Sequence, residues 1–324
     1  MIKKVFIFSM ASVLAVAFFE LFLRFSPFSY GVSPVEYDKD IGMWHKRNFS
    51  SKTVRKCYDT TYYFDSRGLV KNSYEYNSNK KDIVLLGDSY TEAIMVKNQN
   101  VLHNSLQREY EGEYNFLNYG LSGTASVQHL VMLQKKVEFE NVKEVIQLLN
   151  MDGNIYEVDP KTFDSTTRPK VFLDFSDMQN YRVIPPKPLD IKEKIRDFMG
   201  DFELYIYLRK ILYFIRDDEV ETVNNHREDE DLSKNWLQVK GAISHINKLL
   251  KERNIRYKII VYGKDIGLKR TLTEFLTKQK IEFSDLELLS QKYKLPLKSF
   301  SCDAHWSDEA HRNIAKIIKK ENII

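Results

Sequence analysis

The sequence predicts an α/β fold in which a mostly parallel sheet lies between two layers of helices, preceded by one transmembrane helix. Three observations lead to this prediction. Residues 5–19 are apolar, residues 83–86 form an apolar run flanked by charged residues, and strand-like and helix-like segments alternate from residue 81 onward. An apolar run of that kind is typical of a strand covered on both faces, and the alternation is typical of a parallel sheet.

The N-terminal segment is predicted to be an uncleaved signal-anchor over residues 1–27. Lys3 and Lys4 precede the apolar stretch, which is interrupted by Glu20 and resumes over residues 21–23. No group of small residues follows it to suit a cleavage site, and its length approaches that of a membrane span. The two lysines and the terminal amine outweigh Arg24, so we expect the rest of the chain to lie outside the cytoplasm.

The segments after the anchor are predicted in order along the chain. Residues 28–80 are polar and aromatic and indicate a stalk with irregular structure, whereas residues 81–324 form the α/β domain. An insertion over 157–232 interrupts that domain and holds an aromatic-rich helical stretch at 195–215. We expect this stretch to pack on the core; the alternatives are that it covers a substrate groove or touches the membrane surface. Strands are predicted at 83–86, 114–118, 145–149, 257–262 and 281–283.

Composition excludes several classes of function. The 49 basic and 45 acidic residues are well mixed and give a net charge of +4, so we expect no nucleic-acid partner. The seven histidines are scattered and there are only two cysteines, so no metal site and no cofactor is predicted. In an exported protein Cys57 and Cys302 are able to pair, and their disulfide is a hypothesis at this stage.

The tripeptide Gly87-Asp88-Ser89 directly follows the apolar run at 83–86. Ligands of open α/β sheets bind at the carboxyl ends of the strands, where a serine hydroxyl is a candidate nucleophile. Asp and Ser are also common at helix starts, and on this tripeptide alone a helix cap is the favoured interpretation.

Four separated segments resemble, in order, the conserved blocks of the SGNH (GDSL-type) esterase and acyltransferase superfamily. They lie at residues 87–92, 118–123, 153–154 and 303–307, and the resemblance covers about residues 81–324. It implies an SGNH/flavodoxin-like three-layer α/β/α fold. It also implies that Ser89 is the nucleophile, His305 the general base and Asp303 the acid that orients the base. The implied oxyanion donors are the backbone N–H groups of Ser89 and Gly123 and the side-chain amide of Asn154.

Two departures from the family pattern leave alternatives open. The last block is commonly Asp-x-x-His, whereas here only Ala304 separates Asp303 from His305. Asp308 and His311 have the longer spacing, but we interpret them as the start and the surface of the last helix and prefer His305. Ile155 follows Asn154 where many relatives have Asp, and Asn150 is the alternative amide donor.

The function predicted from this set is that of a serine esterase. We expect it to act on acyl, particularly O-acetyl, esters through an acyl-enzyme, on an acylated small molecule or polysaccharide of carbohydrate or cell-envelope origin. The alternatives are an O-acyltransferase that uses the same triad and a catalytically silent protein that binds glycans or other proteins. The membrane is the expected partner of the N-terminal helix.

Overall fold

The structure, a computed structural model, describes residues 2–26, 29–160, 169–216 and 232–324. Helix α1 (Ile2–Phe25) has a mean hydropathy of 2.3 and is long and apolar enough to cross a membrane. Two antiparallel hairpins follow it. Their strands are β1 (Val35–Asp38), β2 (Gly42–His45), β3 (Ser50–Arg55) and β4 (Tyr58–Tyr63).

The remaining elements build the α/β domain and its insertion. The first part comprises β5 (Asp82–Gly87), α2 (Ser89–Glu92), α3 (Leu102–Glu109), β6 (Asn115–Gly120), α4 (Ser126–Lys135) and β7 (Val142–Asn150). The described elements within the predicted insertion are β8 (Phe172–Phe175), β9 (Tyr181–Ile184), α5 (Ile191–Met199) and α6 (Glu203–Arg216). The last part comprises α7 (Ser233–Lys251), β10 (Arg256–Tyr262), α8 (Ile266–Gln279), β11 (Glu282–Asp285), α9 (Leu286–Tyr293), β12 (Ser299–Phe300), β13 (Asp303–Trp306) and α10 (Asp308–Lys320).

The central sheet has five parallel strands in the order β11-β10-β7-β5-β6. Every residue of β5 is buried, as the uninterrupted apolar run predicts for a strand covered on both faces. The predicted strands at 83–86, 114–118, 145–149, 257–262 and 281–283 correspond to β5, β6, β7, β10 and β11.

Helices cover both faces of this sheet. On one face α4, α7 and α8 contribute to a large apolar cluster with Val84, Leu86 and Val145, while on the other α3, α9 and α10 pack on Ile83, Leu85 and Ile146. Alternate residues of β5 therefore serve opposite layers, since successive side chains of a strand point to opposite faces. The predicted three-layer α/β/α fold class is confirmed.

Residues 29–80 are more closely packed than the predicted stalk. Ile41, Trp44 and Leu69 are buried in the larger core cluster, and the Trp44 indole donates to the Arg67 carbonyl at 2.8 Å. An isolated bridge joins Val70 to Asn118 on the outer strand β6. The large apolar side chains in this otherwise polar segment gain stability by burial, and they draw the segment onto the domain.

Within the predicted insertion, the hairpin β8–β9 packs on α7. Phe175 lies so close to Gly241 that a Cβ atom there would come within 2.5 Å of the phenylalanine ring. The aromatic-rich stretch predicted at 195–215 forms parts of α5 and α6. Among the side chains that the structure describes there, six large apolar ones are exposed rather than packed on the core: Ile191, Ile195, Phe198, Leu208, Ile211 and Leu212. The ends of the predicted insertion lie partly outside the described residues, and the three-part division of the chain stays a prediction.

Candidate active site

Three neighbouring parallel strands end at the edge of the sheet that carries the predicted site residues. Ser89 follows β5, Gly123 follows β6 and Asn154 follows β7, and these strands are adjacent in the order β7-β5-β6. Because parallel strands share one direction, their carboxyl ends meet at the same edge. The topology therefore brings together three segments that are up to 66 residues apart, as the contact between Asp88 and Asn154 shows.

Ser89, His305 and Asp303 form a continuous chain of hydrogen bonds. The Ser89 Oγ lies 2.7 Å from His305 Nε2, and His305 Nδ1 contacts Asp303 Oδ1. When Nδ1–H donates to the carboxylate, Nε2 is left as the acceptor for the serine hydroxyl. The Tyr90 ring lies against the imidazole, with centroids 4.7 Å apart.

The short Asp-x-His spacing suits the strand on which it lies. Asp303 and His305 are two residues apart on β13, so their side chains lie on the same face. The carboxylate Oδ1 also accepts the backbone N–H of His305 at 3.0 Å, which fixes the acid against the base. Burial alone would raise the pKa of Asp303, but hydrogen bonds from His305 outweigh it and hold that pKa below its usual value.

The competing pair with the longer spacing does not meet Ser89. Asp308 begins α10 and accepts from the Lys97 N–H at 3.2 Å and the Asn100 amide at 2.8 Å. The prediction that His311 is a helix-surface residue is wrong, because its side chain is buried, with its ring 5.9 Å from that of Trp306. Burial lowers the pKa of His311 to about 3, so it is neutral at ordinary pH.

Asp88 fulfils the capping role that the sequence also suggested, and it leaves Ser89 available. The Asp88 carboxylate accepts the Tyr90 N–H at 2.9 Å and the Tyr262 hydroxyl at 3.1 Å, while its other oxygen contacts the Asn154 amide at 3.2 Å. Burial raises the pKa of Asp88. Ser89 is the first helical residue, and the N–H groups of the first turn have no acceptor inside the helix.

Asn154 is buried beside Asp88. Its Nδ2 also lies 3.2 Å from the Thr124 carbonyl, and its Oδ1 accepts the Asn150 N–H at 2.8 Å. The alternative donor, Asn150, instead uses its side-chain oxygen to accept the Asp152 N–H at 3.1 Å. The structure thus brings Asn154, rather than the Asn150 side chain, into contact with the Asp88-Ser89 segment and the Gly123-Thr124 loop.

Gly123 occupies a backbone conformation that favours glycine. Its φ is +70°, and a Cβ atom would lie 2.9 Å from Lys170 Nζ, which itself contacts the Gly123 carbonyl. The preceding residue is held by a buried carboxylate, since Glu92 accepts the Ser122 N–H at 3.0 Å and contacts His45 Nε2 at 2.7 Å. This support of the loop was not predicted.

A second set of residues missed by sequence reasoning supports Asp303. Its outer oxygen, Oδ2, lies 3.1 Å from the Tyr58 hydroxyl and 3.3 Å from the Arg55 guanidinium, both at the turn between β3 and β4. Cys57, in the same turn, forms a disulfide with Cys302, next to the acid. The pairing hypothesis is therefore confirmed, and the presence of only two cysteines was the one sequence signal that linked the hairpin to the last block.

Cavities border the site on two sides. One of about 360 Å³ is lined by Ser122 and Thr124 at one end and by residues of α5 and α6 at the other. A second of about 810 Å³ is lined by Tyr90, Asp303 and Ala304 together with polar residues that follow β7 and β10. One cavity thus adjoins the loop that holds Gly123, and the other adjoins Asp303 and the residue that follows Ser89.

Comparison with known proteins yields only structural neighbours. No protein-family model matches the chain, and no curated protein sequence matches it. A psychrotrophic esterase from Pseudoalteromonas sp. is 11% identical, with a TM-score of 0.41 over 75% of this chain and 97% of that one. A lipase/acylhydrolase from Enterococcus faecalis is 14% identical, with a TM-score of 0.40 over 74% and 94%.

A GDSL-like lipase from Bacteroides thetaiotaomicron is 12% identical, with a TM-score of 0.38 over 78% of this chain and 93% of that one. These identities and scores carry no argument about activity. The stronger link is the order of the four motifs and their convergence at one edge of a parallel sheet. In motif order and in fold class, the chain is similar to the SGNH (GDSL-type) hydrolases.

Proposed function

We propose that this protein is a serine esterase that cleaves acyl esters through an acyl-enzyme on Ser89. The observation that carries the proposal is the chain of contacts from Ser89 Oγ through His305 to Asp303 at the carboxyl edge of the sheet. A serine hydroxyl is a weak nucleophile until a neighbouring imidazole takes its proton, and the carboxylate stabilises the imidazolium that forms.

The reaction then has two balanced halves. Ser89 Oγ attacks the ester carbonyl while its proton passes to His305 Nε2, and collapse of the tetrahedral intermediate releases the alcohol with that proton. Water, activated by the same imidazole, attacks the acyl-enzyme and releases the carboxylic acid and free Ser89. The proposed oxyanion donors are the N–H groups of Ser89 and Gly123 and the Asn154 amide, each worth about 3–4 kcal/mol.

The proposed location is outside the cytoplasm, with α1 retained as an anchor. The lysines that precede α1 favour this orientation, and the Cys57–Cys302 disulfide is the kind of bond that persists in oxidising compartments. An acylated carbohydrate of the cell envelope is the substrate class that suits this location.

The proposal is tested by removing the hydroxyl of Ser89. Ser89→Ala should abolish hydrolysis of small acyl esters and labelling by a fluorophosphonate, because both need the same nucleophile. Ser301→Ala is the matched control, since Ser301 is an exposed serine that lines the cavity beside Asp303. Labelling that persists in Ser89→Ala would contradict the assignment, as would its absence from the unmodified protein, which is the result expected of a silent binding protein.

An O-acyltransferase is the second candidate, and the two cavities favour it. A transferase must place an acyl donor and an acceptor hydroxyl on the same serine in turn, and separate cavities adjoin the Ser122–Thr124 loop and the Tyr90–Asp303 side of the site. Release of acetate from acetylated envelope polysaccharide by the unmodified protein, but not by Ser89→Ala, would identify a hydrolase. Transfer of the acetyl group to added glycan without acetate release would identify the transferase instead.

A further inference from the structure

The two helices of the insertion meet at the point where α1 ends. The turn between them lies at residues 200–202, where the Gly200 carbonyl accepts the Ser33 N–H and the Asp201 carbonyl accepts from the Arg24 guanidinium. α5 therefore ends, and α6 begins, beside the C-terminal turn of the apolar helix.

A buried carboxylate of α1 caps α6. Glu20 accepts the N–H groups of Glu203 and Leu204 at 3.1 and 2.9 Å, which are among the groups that a helix start leaves without internal partners. Glu203 in turn accepts the N–H groups of Tyr30 and Gly31 at 3.1 and 2.9 Å. Because Glu20 is 8% exposed and Glu203 is 3% exposed, this junction is a fixed part of the fold rather than a loose tether.

The depth of this junction in the membrane follows from the length of the apolar segment of α1. Between Lys4 and Glu20 lie only apolar or small residues, and a helix rises about 1.5 Å per residue, so residues 5–19 span roughly 22 Å. The hydrocarbon core of a bilayer is about 30 Å thick. The apolar segment is about 8 Å shorter than this thickness. When α1 crosses a membrane with Lys4 at the inner boundary, Glu20 and the start of α6 therefore lie at or just inside the outer boundary of the hydrocarbon, not above it in the water.

The same two helices expose large apolar side chains. On α5, Ile191, Ile195 and Phe198 are 76%, 59% and 63% exposed and are spaced as one helical face. On α6, Leu208 and Leu212 are 51% and 57% exposed, four residues apart. Outside α1, no other stretch of comparable length in the described chain exposes as many large apolar side chains, which a water-facing surface rarely does.

Basic residues are interspersed with these apolar ones. Lys192 and Lys194 lie on α5, and Arg209 and Lys210 on α6. Helices with an apolar face and lysine or arginine elsewhere are typical of segments that lie in the membrane interface, with the apolar face about 5–10 Å into the boundary between headgroups and acyl chains.

We propose that α5 and α6 lie flat in the outer interface of the bilayer that α1 crosses, with their exposed apolar side chains among the lipids. The occupant of this surface is the lipid bilayer itself, because the surface is continuous with the membrane-spanning helix through the Glu20 and Arg24 contacts. The cavity of about 360 Å³ has residues of α5 and α6 in its wall, so it opens beside the membrane surface. The placement does not depend on the esterase proposal.

The test measures depth in the membrane at single spin labels on the full-length protein. Phe198→Cys and Leu208→Cys carry the label, and Leu288→Cys on α9, 63% exposed, is the matched control. The two native cysteines are joined in a disulfide and do not react under non-reducing conditions. Each variant is reconstituted into vesicles of phosphatidylethanolamine and phosphatidylglycerol.

We expect the ratio of collisions with oxygen to collisions with a water-soluble nickel chelate to be several-fold higher at positions 198 and 208 than at 288. Oxygen concentrates in lipid, whereas the chelate stays in water. Equal ratios at all three positions would overturn the proposal. Labels at 198 and 208 that collide with neither reagent would also overturn it, because they would indicate that protein covers the helices.

Fluorophosphonate labelling of Ser89 in the same vesicles tests the proposed activity independently of the membrane placement. Labelled protein with water-exposed helices would refute only the membrane placement, while unlabelled protein with lipid-exposed helices would refute only the esterase. A further variant, Leu208→Asp, should reduce the oxygen-to-chelate ratio at position 198 while α1 stays inserted. An unchanged ratio in that variant would count against a shared interfacial surface.

Discussion

At the scale of single residues, the geometry of Asp303 distinguishes this site. The carboxylate uses one oxygen for His305 and the other for Tyr58 and Arg55. Arg55 is 60% exposed, and exposed ion pairs contribute little, so the Tyr58 hydrogen bond is the more important of the two outer contacts. In the proposed mechanism, Tyr58 acts through Asp303 and is a positioning residue.

Tyr58→Phe removes that outer hydrogen bond and keeps the ring, which lies 5.1 Å from the Phe300 ring. A hydrogen bond to a charged group is worth about 1.5–3 kcal/mol, so we expect kcat for ester hydrolysis to fall at least about tenfold. KM should stay unchanged, because Tyr58 does not line the substrate cavities described above. Steady-state kinetics on a small acyl ester provide the measurement.

Tyr63→Phe is the control, since Tyr63 lies on the same hairpin and is 40% exposed. It should leave kcat as in the unmodified protein. A loss shared by both variants would indicate general loosening of the hairpin rather than a specific role for the Tyr58 hydroxyl.

The local sequence pattern was sufficient to find the candidate nucleophile, base and acid, because each lies in a short motif next to a recognisable strand. It did not reveal Tyr58, His45 or Glu92, since the Tyr58–Asp303 and His45–Glu92 contacts join residues 245 and 47 positions apart and leave no local spacing to recognise. The exposure of His311 was predicted wrongly for a related reason. A polar residue on a helix is expected to face water, whereas α10 buries His311 beside Trp306 of the last strand.

At the scale of elements, the disulfide determines where the β3–β4 hairpin lies. Cys57 in its turn is bonded to Cys302, which directly precedes the strand that carries Asp303 and His305. The strands of the hairpin are mostly half-exposed and bury only Thr60 and Tyr62, both away from the turn. The bond therefore adds a covalent constraint at the turn end, where Arg55 and Tyr58 lie.

Replacing both cysteines by alanine should therefore weaken the support of Asp303. We expect Cys57→Ala/Cys302→Ala to lose about 2–5 kcal/mol of unfolding free energy, measured by urea denaturation. We also expect its kcat to fall to the level of Tyr58→Phe.

A more specific test compares kcat of the cysteine-free variant with and without Tyr58→Phe. If the hairpin has moved away, the tyrosine substitution costs nothing more, since the hydrogen bond is already lost. A full additional tenfold loss would show that the hairpin stays in place without its disulfide.

The regular elements of the sheet were predictable because each has a local sequence pattern. A buried parallel strand has an apolar run, and the helices that cover it have apolar residues along one face. Residues 28–80 carry neither signal. Their hairpins are half-buried, rich in tyrosine and threonine, and are stabilised by contacts with distant parts of the domain, as in the bridge from Val70 to Asn118. A segment of that kind is typical of irregular structure when only its own sequence is considered.

At the scale of the whole molecule, α1 is joined to the domain by buried contacts and not only by the chain. Glu20 and Leu23 are buried, and removal of the helix would leave the first N–H groups of α6 without the carboxylate that accepts them. The proposed anchor is thus also a structural part of the folded domain.

We therefore predict that the mature protein keeps its N-terminal helix and exposes its domain on the outer side. Mass spectrometry of the membrane-extracted protein should recover peptides from residues 1–25, and protease added outside the cytoplasmic membrane should digest the domain. A mature chain that lacks residues 1–25 would contradict retention of the anchor. A domain that is digested only after the cytoplasmic membrane is broken would contradict the orientation.

The Cys57–Cys302 bond also closes a covalent ring around nearly all of the α/β domain, since its two ends are 245 residues apart in sequence. All five strands of the central sheet and the whole insertion lie within that ring. A single proteolytic nick anywhere inside it produces two pieces that remain joined, one of which still carries the membrane helix. If α1 anchors the protein, a chain nicked under oxidising conditions would therefore keep both Ser89 and His305 attached to the membrane.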